Sequence, residues 1–170
     1  MMNVDFCVAN NTGNDETYPH GLPILEIPLY IAEQKQNLFK HIWSLENNIV
    51  ITADTIVALD NIVLGKPSGR DEACKMLMML SGKTHEVITG VSIKSCNKSI
   101  GFTDVTYVRF KKVSDEMVEY YVDNFQPYDK AGAYGIQEWI GLTSIDEIKG
   151  SFYNVMGLPA DKLYEKLLEF

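Results

Sequence analysis

Cysteine is scarce in this 170-residue sequence: Cys7, Cys74 and Cys96 are an odd number with no C-x-x-C pair among them. That spacing supplies neither a disulfide framework nor a zinc site, and it suits a reducing compartment. Long hydrophobic runs are missing as well. The longest, 49–59, is interrupted by Thr52, Asp54 and Thr55 and is far too short to span a bilayer. The N-terminal MMNVDFCVANNTGNDE has neither the basic start nor the long apolar stretch of a secretory signal. Together these absences predict a cytoplasmic protein with no membrane partner. Positive charge is in deficit: 15 Lys and Arg stand against 23 Asp and Glu, a formal net charge of -8. A surface that tracks a nucleic-acid polymer needs many cations on one face, so the charge argues against that role. A single nucleotide with a metal ion needs only a few local cations and stays compatible.

Fixed-spacing catalytic templates are also lacking. His20, His41 and His85 form no H-E-x-x-H, and neither G-x-S-x-G nor G-x-x-x-x-G-K-[ST] occurs. The histidines are expected to be structural or surface groups. His85, beside Glu86 at the head of a strand, is placed to hydrogen-bond locally and is assigned no role.

What is present is an ordinary globular composition, 46% hydrophobic and 22% charged, in a length that suits one domain with a sizeable core. A short β-like VDFCVA precedes a polar loop, 10–20, that carries Asp15 and Glu16. Pro28 is well placed to open a helix in which Ile31, Leu38, Ile42 and Leu45 recur on one face. Lys35 falls inside that apolar stripe. Either it snorkels from the edge of the core, or the face borders a polar cleft where the ammonium meets an anion.

Residues 48–59 are β-branched and apolar, and Asp60-Asn61 separates them from Ile62, Val63 and Leu64, the pattern of a hairpin. Ser68 with Asp71 resembles a capping box, followed by a helical face of Ala73, Met76, Leu77 and Leu80 that stops at Ser81-Gly82. Runs 84–95 and 99–112 read as an antiparallel pair. Ser114 starts a short helix with Met117, Tyr120 and Tyr121 inward. The loop 129–137 sets two glycines among small and aromatic residues, a composition that suits either a tight turn or close approach to a flat ligand. A strand near 140–148 and a C-terminal helix with Leu163 and Leu167 inward complete the chain. The mix predicts an α/β domain around one twisted, mixed sheet.

Asp54 is the only charged residue between positions 49 and 59. An ionised carboxylate in so apolar a strand is costly unless a cation, a metal or hydrogen bonds compensate it. A structural salt bridge would do so, and so would a pocket for an anionic ligand shared with Lys66 and Lys35. Hydrolysis of a phosphoanhydride needs charge neutralisation, a positioned water, and a base or metal to activate it. Asp54, Glu16, Lys66 and Lys35 supply those types. A hard ion such as Mg²⁺ uses one or two carboxylates plus phosphate oxygens and water, so no dense ligand cage is expected.

The runs ITADTIVALDNIVLGKP, EACKMLMMLSGKTHEVITGV, DKAGAYGIQ and IKGSFYNVMGLP resemble, in order and spacing, the Maf-like nucleotide pyrophosphatases. The resemblance extends from about Val4 to the C-terminus and is weakest over 10–22. It implies an α/β fold related to the inosine-triphosphate pyrophosphatases. It also implies hydrolysis of nucleoside triphosphates between the α and β phosphates with a divalent metal, Mg²⁺ or Mn²⁺. On the family's pattern Asp54 of A-D-T is the implied proton acceptor, with Thr55 beside it and Gln137 of G-I-Q in base selection. Lys66 of G-K-P, Lys35 and Glu16 match further pocket positions, and Asp54 with Glu16 are the implied metal ligands.

The D-T pair with A-Y-G-I-Q resembles the branch acting on dTTP and UTP rather than on 7-methyl-GTP. Modified pyrimidine nucleotides are implied as further substrates. A glutamine amide offers both a donor and an acceptor to a uracil or thymine edge. By analogy with relatives that are often dimers, a homodimer is implied. One departure stands out: the family's S-x-S-P-R-R loop is absent, and VDFCVA matches the segment that follows it. The expectation is one Maf-like domain over 1–170, N-terminally incomplete, with weakened triphosphate binding for want of arginine forks. The alternative is a non-catalytic nucleotide-binding or regulatory protein.

Overall fold

A computed structural model describes residues 4–9 and 16–170. Asp15 lies outside the described residues. Five strands, β1 (Val50–Leu59), β2 (Ile62–Leu64), β3 (Thr84–Lys94), β4 (Ser99–Phe110) and β5 (Ile145–Lys149), form one sheet in the order β2-β1-β3-β4-β5. Helices cover both faces, so the α/β domain expected from the sequence is what forms. Every pairing among the described strands is antiparallel, where a mixed sheet was expected. For β1–β2 and β3–β4 the reason is in the connections, since both are short hairpins and a hairpin can join only antiparallel neighbours. Asp60 and Asn61 turn the first hairpin with φ of 51° and 65°, a left-handed pair that Asp and Asn tolerate well.

One sheet face is covered by α1 (Ile27–Leu38), with Pro28 in its first turn where a missing N–H costs nothing. Its Ile27 and Ile31 bury against Ile56, Ala58 and Ile88. The approach is close at Gly90, where a Cβ would stand 2.1 Å from the Leu29 nitrogen. The expected apolar stripe does not run on. The chain breaks at Phe39 into a single turn, α2 (Lys40–Trp43), and Leu38 and Leu45 are exposed.

The opposite face carries the larger core, built with α3 (Arg70–Leu80), α4 (Asp115–Phe125) and α5 (Trp139–Ser144). Ala73, Met76, Leu77 and Leu80 bury as their spacing predicts, against Phe110, Val118, Tyr121, Val122 and Ile140. Tyr120 is exposed rather than inward. The capping box is displaced by one residue: Glu72, not Asp71, accepts from the Ser68 backbone N–H at 2.7 Å, because the helix begins only at Arg70. Ser114 caps α4 through the Met117 N–H.

The expected strand at 140–148 is half helix, α5 followed by β5. Gly141 sits so close to the Ile136 carbonyl that a Cβ would lie 1.8 Å from its oxygen, a backbone approach that only glycine allows. After β5 come a short α6 (Phe152–Val155) and then α7 (Ala160–Leu168), whose Leu163 seals Val91 and Ile93. The β-like segment 4–9 is exposed and irregular, since no strand among the described residues pairs with it. No helix among the described residues is long and apolar enough to cross a membrane.

Candidate functional site

The shortness of β2 makes room for the site. It pairs with β1 only at Val57, Ala58 and Leu59, so the outer edge of β1 over 50–56 has no strand beside it among the described residues. A cavity of about 380 Å³ opens along that edge. Asp54 and Thr55 of β1, Lys35 of α1, Lys66 beyond β2, Glu16 and Gln137 all line it. Six residues spread over most of the chain therefore meet in one concave surface.

Successive strand residues point to opposite faces, which sends Asp54 toward α1 and Thr55 toward the larger core. Asp54 is buried at 9% exposure. Its Oδ1 lies 2.5 Å from the Lys35 Nζ, and the same ammonium stands 3.0 Å from Glu16 Oε1. Glu16 Oε2 in turn receives Lys66 Nζ at 3.0 Å. Lys35 borders the cavity from α1, and the anions it meets there are the chain's own Asp54 and Glu16, the salt bridge left open for Asp54. Thr55 Oγ1 shares a hydrogen bond with Thr89 Oγ1 at 2.8 Å and lies 3.5 Å from the Gly157 carbonyl, tying β1 to the loop after α6. Gln137 is exposed, lines the cavity and hydrogen-bonds to no described side chain.

The chain of alternating charges separates the two carboxyls. Burial holds Asp54 above the usual aspartate range, and the Lys35 ammonium offsets only part of that push. Burial also pushes Glu16 up, but hydrogen bonds from Lys35 and Lys66 outweigh it and the net shift is down. For Lys35 burial works against the charge, and the bonds to Asp54 and Glu16 overcome it, so the ammonium stays protonated. Among the described residues no three His, Cys, Asp or Glu side chains converge to cage an ion. Asp54 and Glu16 both face the Lys35 ammonium, and one or two carboxylates are the donor set a hard divalent ion uses with substrate oxygens and water.

Several lining residues carried no assignment from the sequence. Lys130 adds a third lysine to the wall, held by Asp129 at 2.8 Å and Glu138 at 3.3 Å. It lies inside the glycine-containing loop 129–137, which the sequence offered as either a tight turn or a place for close approach to a flat ligand. Val155, Met156 and Gly157 close another side, positioned by buried Asn154, whose Nδ2 donates to the Val87 carbonyl and to Thr106 Oγ1, each at 3.0 Å. Tyr134 contributes a ring to the cavity, and its hydroxyl meets His85 Nε2 at 2.7 Å. His85 is thus a buried structural group, 2% exposed, with its pKa pushed down to about 4 by burial.

A family model described as Maf-like protein matches residues 1–170. The dTTP/UTP pyrophosphatase of Parabacteroides distasonis is 48% identical over 169 residues, covering 99% of this chain and 87% of the relative. The protein of the same name from Bacteroides thetaiotaomicron is 49% identical over 166 residues, 98% of this chain and 86% of the relative. That from Flavobacterium psychrophilum is 50% identical over 154 residues, 91% and 78% respectively.

Proposed function

The chain belongs to the Maf-like protein family, and from that premise we propose that it hydrolyses dTTP and UTP to the monophosphate and pyrophosphate. The observation that carries the reading is the arrangement along the open edge of β1. A buried carboxylate, Asp54, lies against the Lys35 ammonium, with Glu16 and Lys66 beyond it and Gln137 on the same cavity. Relatives at 47–50% identity bear the name dTTP/UTP pyrophosphatase, which supports the substrate assignment.

In this reading Asp54 accepts the proton of a water as its oxygen bonds to the α phosphorus. The bond from that phosphorus to the bridging oxygen breaks, and pyrophosphate leaves with the electron pair. Lys35 and Lys66 bring positive charge to phosphate oxygens, the form of stabilisation that grows as charge builds on the leaving group. Their own bonds to Glu16 keep both lysines in place before substrate arrives. Thr55 and Gln137 contact the nucleotide, and Gln137 meets the base edge with one donor and one acceptor. Asp54 and Glu16 would hold a divalent ion, Mg²⁺ or Mn²⁺, which when bound adds further charge neutralisation at the phosphates.

The three cysteines are free, which supports a cytoplasmic setting for this chemistry. A homodimer, a small-molecule nucleotide substrate with no nucleic-acid polymer or membrane partner, and activity on modified pyrimidine nucleotides complete the proposal. The test is pyrophosphate release from dTTP and UTP by the purified protein. Release that stops on chelation and returns with Mg²⁺ or Mn²⁺ is expected. Binding of a non-hydrolysable analogue with no release from either nucleotide would replace this reading with the non-catalytic one.

A further inference from the structure

The Gln137 amide alone is a poor judge of base identity. Uracil and thymine present a ring N–H beside a carbonyl oxygen, and so does guanine, so one donor and one acceptor pair with all three. What separates them is reach: a purine places that edge farther from the sugar than a pyrimidine does. Selection for a pyrimidine therefore depends on how firmly the backbone under Gln137 is held against the rest of the cavity.

The structure contains a bracket that does this. Tyr121, on α4 and fully buried, sends its hydroxyl to the loop that carries Gln137. That oxygen accepts the Gly135 N–H at 3.1 Å and donates to Glu138 Oε2. Glu138 Oε1 faces Lys130 Nζ at 3.3 Å, and the Glu138 N–H returns to the Gly135 carbonyl at 3.1 Å. Gly135 is pressed under the same carboxylate, since a Cβ there would lie 2.9 Å from Glu138 Cδ. The residues on either side of the Ile136-Gln137 pair are thus pinned to one hydroxyl rooted in the main core, while the Gln137 side chain bonds to no described residue. Neither Tyr121 nor Glu138 needs to touch the nucleotide.

We infer that Tyr121 and Glu138 are positioning residues for base selection, fixing the depth at which Gln137 meets the base so that a pyrimidine nucleotide is taken and a guanine nucleotide is not. The inference rests on the proposed function for the identity of the ligand, and its test is made by binding so that it does not depend on turnover.

The experiment compares the full chain with Tyr121→Phe, Glu138→Ala and Glu138→Gln. Calorimetry with non-hydrolysable uridine and guanosine triphosphate analogues gives the ratio of the two Kd values, and thermal melting is recorded alongside. The unchanged protein is expected to favour the uridine analogue. Tyr121→Phe and Glu138→Ala should narrow that preference by about tenfold, the scale of one lost hydrogen bond to a charged or buried group. Glu138→Gln keeps an acceptor for the tyrosine hydroxyl and should hold the preference within about twofold. A lower melting temperature with an unchanged ratio in Tyr121→Phe would overturn the bracket and leave the pyrophosphatase reading intact. An unchanged protein that binds both analogues equally would overturn it too, while pyrophosphate release from dTTP, measured separately, decides the parent reading.

Discussion

Acidification should destabilise this protein through one buried imidazole. His85 is 2% exposed, and its only side-chain hydrogen bond is between Nε2 and the Tyr134 hydroxyl, leaving Nδ1 without a partner among the described residues. Burial lowers its pKa from 6.5 to about 4, so in the folded state it is neutral through the mildly acidic range. The unfolded chain binds a proton at His85 as pH falls through 6.5, while the folded chain does so only near 4. Between those values the unfolded state holds more protons, so stability is full above the unfolded pKa and falls as pH drops toward the folded one. The whole shift corresponds to about 3 kcal/mol, of which about 2 kcal/mol is already lost near pH 5. The assay is urea denaturation near pH 7.5 and near pH 5 for the unchanged protein and for His85→Gln, which cannot titrate there. The unchanged protein should lose about 2 kcal/mol more than the variant on going to the lower pH. Equal losses in both would refute the argument that a buried neutral imidazole sets this part of the pH dependence.

Two further outcomes follow from the contacts around α1. Gly90→Ala drives a methyl into the Leu29 backbone, which a flexible side chain cannot relieve. It should cost about 3 kcal/mol by forcing α1 off the sheet, read as a lowered denaturation midpoint, and an unchanged midpoint would refute the close packing. Lys35→Met leaves Asp54 buried without its cation and Glu16 with one lysine in place of two. Stability should fall by about 2 kcal/mol and the KM for dTTP should rise, whereas a variant matching the unchanged protein in both would show that Lys35 serves neither the fold nor the ligand.

How far the sequence speaks for this molecule depends on the range of the interaction. The Asp60-Asn61 turn was legible because left-handed φ values are a local preference of those residues, written in two adjacent positions. Asp54 was legible because a lone carboxylate in an apolar strand is an anomaly at any range. Lys35 could be read only as a choice, since the sequence cannot say which face of α1 meets the open edge of β1. The helix over 139–144 was hidden because a short apolar run serves a strand or a helix alike. Leu45 looked like part of a continuous stripe because the break at Phe39 leaves the hydrophobic spacing unaltered. Tyr121 and Glu138 were beyond reach for another reason: their bond joins a core helix to a loop 17 positions away, and no pattern within either segment marks it.

The central claim is that Asp54 is the carboxylate that activates water at a pyrimidine triphosphate. Asp54→Asn keeps the shape of the side chain and a hydrogen-bonding oxygen for Lys35 while removing the base. Pyrophosphate release from dTTP at saturating nucleotide and Mg²⁺ measures the claim directly, with binding of a non-hydrolysable analogue checked on the same sample. The account predicts that kcat falls by at least about a hundredfold while the analogue still binds, the scale of a lost general base. Undiminished kcat in Asp54→Asn would contradict it.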